Sequence, residues 1–331
     1  MRVRESLFPK RKPHNHGMLK TGDGHRVYFE ECGNPNGIPI LFFHGGPGAG
    51  CDEKDRRYFD PKKWRVILFD QRGCGRSRPL GLLENNTTWH LIQDAKHILN
   101  KLGITKTALF GGSWGSTMAL TFAITCPEMV SGMVLRGIFL GESSEIDYSE
   151  NGLIATHFPR EWERFASVLS PEQRKDPLRA YYDKLINGRV RRSRRRKLVS
   201  EWTRYEDAHL RLAPTNPQKY EREFAKEKPE TVEMIAVLEI YYIANGCFFK
   251  RGFILKNIHR IPNVPISIIH GEYDVICPPR SAHRPEKALL DSGHTQVRTF
   301  YTFAGHSKSD PETRKILLSE TDRLYAKVKP R

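Results

Sequence analysis

One serine in this chain stands where a nucleophile would. Gly111-Gly112-Ser113-Trp114-Gly115 follows the strand-like Thr107-Ala108-Leu109-Phe110 and precedes Ser116-Thr117-Met118-Ala119-Leu120-Thr121-Phe122-Ala123, which reads as a helix. A Gly-x-Ser-x-Gly run between a buried strand and a helix makes a sharp elbow that aims the serine hydroxyl into a pocket, and the glycines let the two backbones pack closely. A serine hydroxyl is a weak nucleophile at neutral pH. It needs a histidine to take its proton and an acid to orient that histidine. Both are available downstream. Pro265-Ile266-Ser267-Ile268-Ile269-His270 reads as an apolar strand, and Gly271-Glu272-Tyr273-Asp274 follows at its carboxyl end, where the catalytic groups of α/β sheets collect. Asp274 is the expected acid, with Glu272 as its near rival. Gln296 to Tyr301 reads as another strand, and His306, in the Ala304-Gly305-His306-Ser307 loop after it, is the expected base.

The order serine, acid, histidine along the chain is that of the α/β-hydrolases and differs from the orders of other serine-peptidase folds. Of the 13 histidines, His283 and His294 fall between the last two strands, on a helix and at a turn, and so lack the position after a strand. Asp291 reads as a surface or turn residue. The developing negative charge of acyl transfer needs backbone donors. Residues 39 to 43 form a short apolar strand running into His44-Gly45-Gly46-Pro47-Gly48-Ala49-Gly50, a loop suited to supply one N–H; the residue after the nucleophile, Trp114, supplies the other. Gly46 is the expected loop donor and Gly45 the alternative. A phosphate-binding loop fits poorly, because neither a Gly-Lys-Ser/Thr ending nor a Gly-x-Gly-x-x-Gly helix start is present.

These side chains must be held by a sheet. Arg65 to Phe69 is a further strand, ending in Asp70-Gln71-Arg72-Gly73-Cys74-Gly75-Arg76-Ser77, whose polar residues are expected to brace loops near the site. Residues 88 to 102 read as a helix, with apolar residues at Leu91, Ile92, Ala95, Ile98, Leu99 and Leu102 in helical spacing. Val130 to Leu135 is a strand, and Met18 to Cys32, turning at Gly22-Asp23-Gly24, reads as an antiparallel hairpin. Alternating strands and helices predict an α/β fold with a mostly parallel sheet and helices on both faces. The strand pattern stops after about Leu140 and resumes near Pro265. The expected organisation is an α/β-hydrolase core over 1–140, a helical cap over 141–260 and the rest of the core over 261–331.

The chain of 331 residues carries a net charge of +16. Its densest contribution is Arg189 to Lys197, with seven basic residues in nine. Such runs bind anionic polymers or simply stay solvated. No nucleic-acid module surrounds this one, so it reads as an exposed loop or helix of the cap and no specific nucleic-acid partner is expected. The six cysteines show neither Cys-x-x-Cys nor zinc spacing, and read as reduced thiols. No signal core and no membrane-length apolar run is present, which predicts a soluble, cytoplasmic protein with no membrane partner. Asn85-Asn86-Thr87-Thr88 matches a glycosylation acceptor but reads more simply as a turn and helix cap.

HGGPGAG at 44 to 50, DQRGCGRS at 70 to 77, GGSWGS at 111 to 116, LRGIFL at 135 to 140, YDVICP at 273 to 278 and AGHS at 304 to 307 together resemble the signatures of the prolyl aminopeptidase family, also called proline iminopeptidase. The likeness runs from about Leu7 to near the C-terminus. It implies a serine peptidase on the α/β-hydrolase fold that releases N-terminal proline from peptides without metal or organic cofactor. It also implies cap glutamates that recognise the free terminal amine. Glu206, in Trp202-Thr203-Arg204-Tyr205-Glu206, resembles one, and Glu239, in Leu238-Glu239-Ile240-Tyr241-Tyr242, resembles the other. Phe139 and Cys277 resemble members of the apolar proline pocket, and Cys277 suggests sensitivity to thiol reagents.

The cap departs from the family pattern. Tyr205-Glu206-Asp207 stands where the family commonly has Trp-Glu-Gly, Glu239-Ile240-Tyr241-Tyr242 where it has Glu-Asn-His-Tyr, Glu272 in place of an arginine, and Tyr148-Ser149 in place of an aromatic pair. These changes spare the catalytic residues and bear on the strictness of the proline preference. The alternative is a related hydrolase acting on other small N-terminal residues, amides or esters. A non-enzymatic binding role for the basic cap would require an idle triad.

Overall fold

In the computed structural model, which describes residues 4–150, 152–210 and 217–329, the apolar runs pair into one sheet. Among the described residues it has eight strands: β1 (Asn15–Lys20), β2 (Arg26–Gly33), β3 (Ile38–Phe43), β4 (Trp64–Phe69), β5 (Thr107–Ser113), β6 (Val130–Ile138), β7 (Ile266–Gly271) and β8 (Val297–Thr302). Their spatial order is β1-β2-β4-β3-β5-β6-β7-β8. The hairpin β1–β2 and the β2–β4 pair are antiparallel. From β4 through β3, β5, β6 and β7 to β8 every pairing is parallel. The predicted α/β class and mostly parallel sheet are therefore observed.

Helices α1 (Thr88–Lys101) and α2 (Trp114–Thr125) precede β6; α3 (Ser143–Ser149), α4 (Pro159–Ala166), α5 (Pro177–Tyr182), α6 (Arg192–His209), α7 (Pro217–Phe224), α8 (Pro229–Ala244) and α9 (Phe253–Asn257) lie between β6 and β7; α10 (Arg280–Asp291) precedes β8 and α11 (Pro311–Val328) follows it. Strand side chains alternate between faces. In β3, Leu41 and Phe43 join Leu91 and Ile98 of α1 and Met118 and Phe122 of α2 in one buried cluster. Ile40 and Phe42 join Leu317, Leu318 and Leu324 of α11 in another. Helices cover both faces, so β3 is apolar along most of its length and does not alternate with polar residues.

The helices α4, α5 and α6 bury aromatic residues against one another. Phe165 stacks on Tyr181 at 4.8 Å and on Tyr205 at 4.3 Å, beside Trp202. Their cluster draws residues from Ile146 to Ile243. Tyr242 leaves this layer to pack on Trp114 at 5.1 Å and donates to Asn86 Oδ1 at 2.7 Å, tying α8 to the residue after Ser113. The basic run straddles the start of α6 and is partly used internally. Arg194 donates to the Val168 carbonyl, and Arg195 bonds Glu233 at 2.5 Å and the Leu185 carbonyl at 2.8 Å. Among the described residues no single helix is long and apolar enough to cross a membrane.

Candidate active site

Ser113 sits at the junction of β5 and α2 with φ 57° and ψ −131°, a backbone conformation that costs about 1–3 kcal/mol and persists only where its surroundings enforce it. The enforcement comes from close packing. A Cβ on Gly111 would lie 2.1 Å from the Gly115 carbonyl oxygen, and one on Gly115 would lie 2.1 Å from that of Phe43. Only glycine at both places lets the elbow close on itself and on β3.

The loop after β3 lies against Ser113: a Cβ on Gly45 would fall 3.6 Å from that of Ser113. A buried polar network fixes this loop. His44 Nδ1 donates to the Gly45 carbonyl at 2.8 Å, and its Nε2 accepts the Gln71 N–H at 2.9 Å. That pattern uses a single ring proton, and burial lowers the His44 pKa, keeping the ring neutral. The Gln71 amide donates to the His44 carbonyl at 3.2 Å and accepts the Trp114 indole N–H at 2.9 Å. One glutamine thus ties the glycine loop to the elbow. Trp114 buries its indole completely and begins α2, so its backbone N–H is among the donors that a helix start leaves without an intrahelical acceptor.

Asp274 and His306 meet from two loops at the carboxyl ends of β7 and β8. His306 Nδ1 donates to Asp274 Oδ2 at 2.7 Å. The other carboxylate oxygen accepts the backbone N–H groups of Ile276 at 3.0 Å and Cys277 at 2.9 Å. Burial opposes ionisation of Asp274, but the nearby His306 and these bonds outweigh it and hold the carboxyl below its ordinary range. Neighbours that sequence reasoning gave no role complete the frame. His270 accepts the Ile138 N–H and donates to the Cys277 carbonyl at 2.7 Å, which fixes the Asp274 loop. Arg136 donates to the His306 carbonyl at 2.7 Å. Gly137 leaves room for the imidazole, since a Cβ there would lie 3.1 Å from His306 Cε1. Both residues lie within LRGIFL, but nothing in that string announces a contact with His306.

The rivals are placed elsewhere. Glu272, Asp291 and His283 are exposed, and His283 faces Glu286 at 3.7 Å. His294 is buried between the carbonyls of Leu289 and Ile261.

A cavity of about 280 Å³ brings Ser113, His306, Gly46, Phe139, Cys277, Glu206 and Glu239 to one surface. Asp274 stands behind His306. Ser113, His306 and Gly46 come from the sheet loops, and the two glutamates come from α6 and α8. Burial raises the pKa of both glutamates. Mutual repulsion raises Glu206 further, so that it keeps a proton and donates it to Glu239. Glu239 also accepts the Trp202 indole N–H at 3.1 Å. A third glutamate, unnoticed in sequence, lines the same cavity: Glu150, at the end of α3. Burial, and then the neighbouring Glu206 carboxyl, push its pKa up to about 8. No spacing rule marks Glu150, because only the docking of α3 beside α6 brings it here. Among the described residues no group of three or more His, Cys, Asp or Glu side chains is arranged to hold a metal ion.

A hydroxyl on a strained elbow, an imidazole oriented by a buried carboxylate and flanking backbone donors are the parts of acyl transfer; acidic side chains across the cavity suit a cationic group beside the reacting carbonyl. Comparison with known proteins agrees with this chemistry. The model of the alpha/beta hydrolase fold family matches residues 38–303. The proline iminopeptidase of Xylella fastidiosa (strain Temecula1 / ATCC 700964) is 38% identical over 320 residues, spanning 96% of this chain and 98% of that one. The proline iminopeptidase of Arabidopsis thaliana is 35% identical over 98% of this chain and 83% of its own length. Among solved structures, a proline iminopeptidase-related protein of Thermus thermophilus superposes with a TM-score of 0.62 at 20% identity, over 95% of this chain and 98% of that one, a likeness of fold. By fold and by sequence over nearly its whole length, the chain belongs to the proline iminopeptidase family of α/β-hydrolases.

Proposed function

We propose that the protein is a serine exopeptidase that releases N-terminal proline from peptides through an acyl-enzyme. The observation that carries this is the cavity itself, which Ser113, His306, Glu206 and Glu239 line together. A cationic imino group is costly to desolvate unless paired. Paired there, it holds the first residue's carbonyl at the serine and leaves no room for residues upstream. Phe139 and Cys277 offer apolar surface to the ring. In this reading the helical segment over 141–260 acts as the cap that closes the site, and specificity resides in it.

Ser113 Oγ attacks the carbonyl carbon while His306 Nε2 takes its proton. Asp274, on the opposite ring nitrogen, orients the imidazole and stabilises the imidazolium. The N–H groups of Gly46 and Trp114 hold the oxyanion, each contributing on the order of 10²–10³ in rate. The carbon–nitrogen bond breaks as His306 gives its proton to the departing amine. Water, deprotonated by His306, then hydrolyses the ester and frees proline. Six unpaired thiols are compatible with a reducing compartment, which supports a cytoplasmic location.

Two substrates test the proposal. Proline 4-nitroanilide should be hydrolysed by the wild type and not by Ser113→Ala, and its N-acetyl derivative, which has no cation, should be a far poorer substrate. Equal turnover of the free and blocked compounds, or activity surviving in purified Ser113→Ala, would refute it.

A further inference from the structure

We propose that Glu150 is a third carboxylate of the amine-binding end and fits that end to a primary ammonium, so that the protein also releases N-terminal residues such as alanine. The inference rests on the exopeptidase reading above and extends it to a second substrate class.

Glu150 is 5% exposed and lines the main cavity together with Glu206 and Glu239. It also borders a recess of about 20 Å³ shared with Ser149, Tyr205, Glu206 and His209. Among the described residues no group bonds its Oε2, which is fully buried. A buried carboxyl oxygen without a donor is costly, on the order of 1–3 kcal/mol, and native proteins retain few of them. Among the described residues His209 Nε2, bordering the same recess, also lacks a partner. An incoming N–H supplies one for the Glu150 oxygen.

Counting protons identifies the ligand class. A prolyl terminus is a secondary ammonium with two N–H donors, whereas a primary ammonium has three. Glu206 and Glu239 offer carboxylates for two. Glu150 adds an acceptor for the third, which a proline substrate leaves unused. Among the described residues no cationic side chain is found to act on Glu150. Glu206 and Tyr205 face it from α6; His209, also on α6, is pushed down to about 4 by burial and is neutral; from its own helix it has only the Ser149 hydroxyl. A cationic substrate supplies the positive charge. Phe139, Ile146, Ile243 and Ile276 give the cavity an apolar part that suits a small aliphatic side chain as well as a pyrrolidine ring; Asp207 also lines it, with its Oδ2 accepting the Tyr220 hydroxyl at 2.8 Å.

The experiment compares the 4-nitroanilides of alanine, N-methylalanine and proline in the purified full chain. Alanine and N-methylalanine share a side chain and differ in donor count alone. The wild type is expected to hydrolyse the alanine compound, and Glu150→Gln and Glu150→Leu to lower the ratio of its kcat/KM to that of N-methylalanine about tenfold, chiefly through KM. In the wild type, alaninamide should inhibit proline turnover more tightly than N-methylalaninamide, a readout that needs no variant to fold. Wild-type turnover of proline without turnover of alanine overturns the inference and leaves the proline reading standing. A ratio unchanged by both substitutions, or equal inhibition by the two amides, also overturns it. Failure of the wild type on all three substrates removes both.

Discussion

Replacing Glu150 by glutamine should change how stability depends on pH, independently of any substrate. In the folded protein, burial and the neighbouring Glu206 raise the carboxyl from 4.5 to about 8; in the unfolded chain it returns to its ordinary value. Between those two pH values the folded state holds a proton that the unfolded state has released, so folding stability falls as pH rises through the window. At about 1.4 kcal/mol per pH unit, the interval amounts to about 5 kcal/mol, an upper value for a group whose surroundings relax on ionisation. Glutamine is nearly isosteric and has no proton to lose. The stability of the variant minus that of the wild type should therefore stay flat near pH 4 and climb by about 1 kcal/mol per pH unit from 5 to 8. Contributions common to both proteins cancel in the difference. Urea unfolding followed by tryptophan fluorescence at pH 4, 5, 6, 7 and 8 gives it directly. If the two midpoints run parallel across that range, Glu150 is not a carboxyl held protonated by burial, and the electrostatic description of the acidic end is wrong.

Glu206→Gln and Glu239→Gln should each raise KM for unblocked proline substrates about tenfold or more, with a smaller change in kcat, since each breaks up the proton-sharing carboxyl pair proposed to meet the substrate cation; unchanged steady-state kinetics would place the amine elsewhere. Gly137→Ala forces a methyl to 3.1 Å from His306 Cε1 at a backbone φ of 52°, so a displaced imidazole should lower kcat on the order of tenfold while KM stays nearly constant; kcat within twofold of wild type would show that His306 moves without penalty. Burial and the charge of Asp274 push the Cys277 thiol well above its ordinary range, which runs against the expected thiol sensitivity. Alkylation of Cys277 by iodoacetamide at pH 7.5, read by mass spectrometry, should be much slower than that of a free thiol, and rapid modification protected by substrate would contradict the assigned environment.

Elements whose cause is local were legible in the residues. The elbow is one contiguous string in which two glycines and a serine flanked by a strand and a helix leave the backbone little choice, and Ser113 is found in that conformation. The apolar spacing of α1 and the apolar run of β7 likewise gave their boundaries to within two residues, because a face buried against a neighbour imposes its period on the sequence. The choice of Asp274 over Glu272 was less secure from pattern alone. Two acids two residues apart look alike until the loop turns one inward onto His306 and leaves the other exposed.

What the chain alone determined is the chemistry of its nucleophile and the class of sheet that carries it, since both follow from residues adjacent in sequence and from alternation along single elements. Tertiary structure decided the electrostatics. Glu150, Glu206 and Glu239 come from α3, α6 and α8, and each would read as a solvated helix charge if its helix were taken alone. Docking those helices beside the serine removes water from the three carboxyls together, and shared desolvation raises the pKa of acids that would otherwise be ordinary surface groups.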